Sequence, residues 1–137
     1  MALPVAEGEK VPEGVVFRFI PNLEIYWEYD RDRPSPRAFR TRPGEADVSM
    51  YLNGLTTTGC LKVLRPRFGI YAFQVERLLA LGSVTVVYDP DETQFEGGAK
   101  VAVKGINRRR AELMAREIGE RISPPEAAVK SLVSDDA

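Results

Sequence analysis

The chain contains no histidine and a single cysteine, Cys60. Histidine is the side chain whose ordinary pKa lies near neutrality, and so the usual general base. Its absence excludes Ser-His-Asp and Cys-His catalytic arrangements. It also removes the commonest zinc ligand. One thiol can build neither a cysteine-rich zinc site nor a disulfide within the chain. Cys60 reads as a small buried hydrophobe, because neither a base nor a basic stretch lies beside it. No metal site and no cofactor are implied. No apolar run approaches the roughly 18–20 residues of a membrane-spanning helix, so no membrane partner is expected. Residues 1–16 carry Glu7, Glu9 and Glu13 and do not read as a signal peptide. A cytoplasmic protein is the expectation, and a lone thiol agrees with it.

What is present suits one domain. At 137 residues, roughly 68% of the unfolded surface can be buried without disulfide or metal staples. Basic residues number 19 and acidic residues 20, a net charge of −1. That balance excludes a uniformly basic nucleic-acid binder, but not a local patch of one sign. Arginine outnumbers lysine 14 to 5, so the positive charge sits on groups suited to bidentate contact with carboxylate or phosphate.

Residues 1–14 mix Pro4, Gly8, Pro12 and Gly14 with acids and read as an irregular arm. VVFRFI (15–20) is apolar, β-branched and aromatic, a strand. LEIYWEY (23–29) alternates, with Leu23, Ile25, Trp27 and Tyr29 on one face, which predicts a half-buried strand hairpinned to the first. Residues 30–47 hold Pro34, Pro36 and Pro43-Gly44 and no periodicity. A loop this long in a small domain is often functional when ordered. Strands are predicted at 48–52, 83–88 and 99–103; residues 61–64 fit a short strand or a helical turn. Helical spacing appears at 72–81 and, more strongly, at 107–122, where Ala111, Met114, Ala115, Ile118 and Ile122 form a stripe. Ser123-Pro124-Pro125-Glu126 reads as the start of a further short helix to about Val133. The order predicts an α+β fold: a mostly antiparallel sheet of four to six strands with two or three helices packed on one face. The domain would span 15–122, with 1–14 an arm and 123–137 a short helix and frayed tail.

Two arginine clusters stand out. Arg31, Arg33, Arg37, Arg40 and Arg42 fall within twelve residues against one acid, Asp32, a local net charge of +4. Such groups repel unless solvated, paired with carboxylates, or bound to an anion. Their counter-charges are either internal (Glu24, Glu28, Asp30 and the arm acids) or external. Arg108, Arg109 and Arg110 open the strongest predicted helix, where each cation opposes the macrodipole by about 0.3–1 kcal/mol. An acidic turn, Asp89, Asp91, Glu92 and Glu96, is a candidate internal partner for them. Tyr26, on the side of Glu24 and Glu28, is placed to stack a base beside the arginine loop.

PSPRAFR (34–40), DVSMYL (47–52), YDPDE (88–92) and AKVAVKGI (99–106) resemble segments of a group of small bacterial proteins. In that group a Pro-Ser-x-x-Ala-Phe segment precedes a short serine-containing strand. A strand ending in Asp-Pro then precedes a final strand and helix. The likeness covers roughly residues 15–122. The group carries histidine at the position of Lys100, so no histidine-dependent role transfers, and the resemblance implies no activity.

The residues therefore predict a non-enzymatic binding module. Arg33, Arg37, Arg40, Arg42, Arg108, Arg109 and Tyr26 would meet nucleic acid or an acidic protein surface. One alternative is a phosphoryl- or nucleotidyl-handling enzyme with arginine clamps and Asp91 or Glu96 as base or metal ligand. Its mark would be a cleft holding arginines and a carboxylate with a raised pKa. Another is a structural subunit of a homo- or hetero-oligomer, docking through its two ends.

Overall fold

A computed structural model describes residues 3, 4, 6–94 and 96–125. Its centre is β1, Val15–Ile20, whose residues are apolar on both sides of the pleat except at Arg18. Strands covered on both faces read as continuous apolar runs rather than alternating ones, which accounts for VVFRFI. β1 is flanked by β4, Val48–Leu52, and β5, Gly69–Gln74. Together with β6, Thr85–Tyr88, β7, Lys100–Lys104, and β8, Glu120–Ser123, they form one six-stranded sheet. The order is β6-β7-β4-β1-β5-β8, and every neighbouring pair is antiparallel. A separate ribbon pairs β2, Trp27–Glu28, with β3, Arg33–Pro34. With its three α-helices, the protein has an α+β fold.

The sheet has two covered faces. Val16, Ile20, Met50, Leu52, Tyr71, Phe73, Val101 and Val103 build the larger core. Over it lie α2, Val75–Leu79, and α3, Arg108–Leu113, through Leu78 and Ala111, both fully buried. The proline-rich segment crosses the same face. Its 3-10 turn, Pro36–Phe39, inserts Phe39 against Tyr71 and Phe73, with ring centroids 5.7 and 5.1 Å away. Burying Phe39 completely contributes about 1.5–3 kcal/mol and ties the loop down. On the other face Phe17, Phe19, Tyr51, Ile70 and Ala72 meet Leu61 of α1, Thr58–Leu64.

Several sequence expectations are corrected. Residues 23–29 are not a strand hairpinned to β1. β4 and β5 already occupy both edges of β1, so no edge is left for them. Residues 23–26 instead close a turn, with Tyr26 N and Trp27 N donating to Leu23 O. Leu23 and Ile25 are consequently 54% and 51% exposed, and only Trp27 is buried. The helical spacing at 72–81 yields to β5, which pairs with β1 from Val15↔Gln74 to Ile20↔Gly69. Only Val75–Leu79 is helical. The 107–122 helix ends early. α3 runs into a π-helical turn, Met114–Ile118, and Gly119 lies so close to β5 that a Cβ there would sit 2.9 Å from the Tyr71 ring. The chain then extends as β8 against β5.

The arm is not wholly irregular. Gly8 N donates to Tyr88 O and Val11 N to Val86 O, while Tyr88 N donates to Glu9 O. The arm thus lines the outer edge of β6. The predicted helix to Val133 lies outside the described residues from position 126 onward. Among the described residues no helix is long and apolar enough to cross a membrane.

Candidate anion-binding surface

The arginine loop is organised by a residue that lies outside it. Arg18 projects from the middle of β1 onto the larger core face and is 1% exposed. β1 and β4 pair at Val16↔Leu52 and Phe17↔Tyr51, and Arg18 lies one residue beyond that pairing. Its Nη1 donates to Ser49 O of β4 at 2.8 Å. Its Nε donates to Ala38 O (3.0 Å) and its Nη2 to Arg40 O (2.9 Å), both carbonyls of the loop. Glu45 accepts from Nη1 and Nη2 at 3.0 and 3.2 Å. All five guanidinium donors are thereby used, which is what a buried arginine requires.

Glu45 also accepts from the backbone N of Arg42 at 2.8 Å. Burial pushes its carboxyl up, but the Arg18 hydrogen bonds and charge outweigh that and hold it below the usual glutamate range. Arg42 turns inward, with Nη2 donating to Phe19 O and Ala38 O. Burial, then the neighbouring Arg18, lowers its pKa to about 10. Its guanidinium stacks 5.3 Å from the Tyr26 ring centre. Tyr26 is thus half-buried, with Arg42 over its ring.

The predicted site residues therefore divide. Arg33 is spent on Glu28 at 2.9 Å, and Glu28 also holds Arg116 at 3.0 Å and Arg31 at 3.8 Å. The Arg33 hydrogen bond is the chief reason the Glu28 carboxyl is lowered. Arg42 is inside the fold. Arg37 and Arg40 are exposed and have no acidic partner among the described residues. They line one cleft of about 350 Å³ with Tyr26, Ile25, Thr41 and Pro43. Arg108 is 85% exposed with a loose contact of 4.0 Å to Glu112, and Arg109 is exposed. Arg110 instead donates to Gly105 O at 2.9 Å. None of the three lines that cleft, and no ion pair joins them to the acidic turn among the described residues. Asp91 is used locally, accepting from Thr93 N and Oγ1, which lowers its pKa.

A second, larger cleft of about 700 Å³ adjoins the first and shares Tyr26 and Pro43 with it. Arg42, Arg65, Lys100, Asp89 and Gln94 line it together with Phe19, Tyr51 and Phe68. Asp89 of the acidic turn and Arg42 of the arginine loop thus face one space. The carboxylates with displaced pKa values, Glu28, Glu45 and Asp91, are all lowered, so each is held as an anion rather than readied as a base. Among the described residues no group of three His, Cys, Asp or Glu is placed to hold a metal ion.

No family model, curated protein or solved structure matches the chain.

Sequence reasoning missed Arg18, Glu45 and Arg65. The signal for Arg18 was present as the one charge inside an otherwise apolar run, VVFRFI. A charge at such a position needs dedicated partners. Glu45 and Arg65 carry no local signal; Glu45 already belongs to the 30–47 segment, and the fold brings Arg18 to it and Arg65 to the larger cleft.

Proposed function

We propose that this domain is a non-enzymatic binding module for an anionic partner, nucleic acid or an acidic protein surface. The observation that carries this reading is the division within the loop. Arg31 and Arg33 pair with Glu28 and the Arg42 guanidinium turns inward onto backbone carbonyls, whereas Arg37 and Arg40 share an open cleft with Tyr26 and Ile25. Folding gains nothing from two unpaired guanidinium groups side by side, whose mutual repulsion a bound anion would relieve. The loop is held rigid from beneath by Arg18, so the two groups are presented at little ordering cost. Exposed Leu23 and Ile25 add apolar contact next to the charge. Arg108 and Arg109 lie outside the cleft and add only longer-range attraction.

The test is fluorescence anisotropy with a labelled single-stranded oligonucleotide, its duplex, and a polyglutamate peptide. Binding to one of these that weakens with salt, and at least about tenfold in Arg37→Glu/Arg40→Glu, supports the reading. Binding to none, or binding indifferent to that double variant, overturns it.

A further inference from the structure

The larger cleft carries a second inference that does not rest on the reading above. Its charges do not balance. Arg18 is matched by Glu45. Asp89 is matched by Lys100 at 3.9 Å, and Asp47 by Lys104 at 3.5 Å. Arg42 and Arg65 remain, with no ion pair to either among the described residues. Each lies against an aromatic ring instead: Arg42 over Tyr26 and Arg65 over Phe68, both 5.3 Å from the ring centre. Their fields reach one another, since Arg65 is among the charges that depress Arg42. Arg42 keeps a buried Nε without a hydrogen-bond partner among the described residues, while its Nη2 serves Phe19 O and Ala38 O.

Two guanidinium groups without an ion pair on one cleft, with Glu45 already engaged by Arg18, favour a doubly charged anion. A phosphate monoester supplies about −1.5 to −2 near neutral pH, with oxygens enough for both groups. A carboxylate supplies one. The cleft is also too large for bare phosphate. Its volume of about 700 Å³ suits a whole small molecule. One wall is aromatic, where Phe19 meets Tyr51 and Phe68 edge-on at 5.4 and 6.0 Å between ring centres. A planar ring packs on such a wall, whereas a phosphate alone leaves it wet.

We propose that this cleft binds a phosphate monoester carried on a planar ring, the chemistry of a nucleoside 5′-phosphate, with Arg42 and Arg65 on the phosphate and the Phe19–Tyr51–Phe68 wall against the ring. Calorimetric titration with the four common nucleoside 5′-monophosphates, the matching nucleosides, phenyl phosphate and inorganic phosphate tests it. At least one monophosphate is expected to bind about tenfold or more tightly than both its nucleoside and inorganic phosphate. Phenyl phosphate matching it would support the class and show that the wall accepts any ring. Arg65→Ala, at an exposed position, is expected to lose about tenfold in affinity with its melting temperature retained. Arg77→Ala, an exposed cation outside the cleft, controls for general charge and is expected to bind normally. Binding of no monophosphate below about 1 mM, inorganic phosphate binding as well as the nucleotides, or an unaffected Arg65→Ala would each overturn the proposal. The oligonucleotide assay reads the other cleft, so the two readings fail separately.

Discussion

Arg18 and Glu45 form a two-pronged ion pair across the junction of β1 and the arginine loop, with bonds of 3.0 and 3.2 Å and side chains 1% and 19% exposed. The pair joins the sheet centre to the segment that displays Arg37 and Arg40. Glu45→Ala leaves the Arg18 charge buried with carbonyl partners only. Breaking such a pair costs about 3–5 kcal/mol when both partners are buried, and the partial exposure of Glu45 favours the lower figure, about 3 kcal/mol. Urea denaturation measures the loss. Hydrogen exchange should quicken over residues 38–45, and a variant as stable as the parent would refute the anchoring role.

The same pair sets an acid dependence. The folded Glu45 carboxyl lies below its ordinary value of 4.5. Its contribution is therefore complete above about pH 4.5 and is lost as the pH falls through the folded value. Glu28 acts with the same sign, but its partners are solvent-exposed and salt screens them. The urea midpoint should hold from neutrality to about pH 5 and then fall. Glu45→Gln should begin lower and decline less steeply on acidification. An identical acid limb in the two proteins would exclude Glu45 as the titrating group.

Charge reversals separate binding from stability. If the cleft holds a polyanion, Arg37→Glu and Arg40→Glu should each lower the slope of log affinity against log salt by about 1. Arg108→Glu, at the first residue of α3, should instead raise stability by about 0.3–1 kcal/mol, because an acid there suits the helix dipole. Its effect on binding should be smaller than that of either loop variant. Equal effects from all three would point to diffuse attraction instead of the cleft.

Two glycines with the same backbone twist should respond differently to alanine. Gly105 (φ +89°) joins β7 to α3, and a Cβ there would lie 2.0 Å from Ser83 O. Gly82 (φ +85°) has open space around it. Gly82→Ala should cost about 1–2 kcal/mol from the left-handed backbone alone. Gly105→Ala should exceed that by about 2 kcal/mol, since the β7–α3 turn must also shift. Equal losses by urea denaturation would show that the close approach at Gly105 relaxes freely.

By itself the sequence determined the class of the fold, four of the six sheet strands in outline, and the excess of arginine in residues 31–42. Those follow from local composition: β-branched runs between turn residues, and charges close in the chain. It did not determine which neighbours each segment would take. LEIYWEY alternates as a strand should, yet β4 and β5 hold both edges of β1, and the segment becomes a turn followed by the two-residue strand β2. The segment around Ala72 and the end of the 107–122 stripe carry helical spacing, yet they become β5 and β8 because sheet pairing outweighs weak helix propensity. The fate of each arginine was likewise decided by tertiary structure. Arg33 and Arg42 are close in sequence to Arg37 and Arg40, but Glu28 of β2 takes up Arg33, while the loop packed by Phe39 and held by Arg18 turns Arg42 inward and leaves Arg37 and Arg40 out. Charge is written in the chain; which of several acids neutralises it, Glu28 five residues from Arg33 or Glu45 twenty-seven from Arg18, is decided only once the sheet has formed.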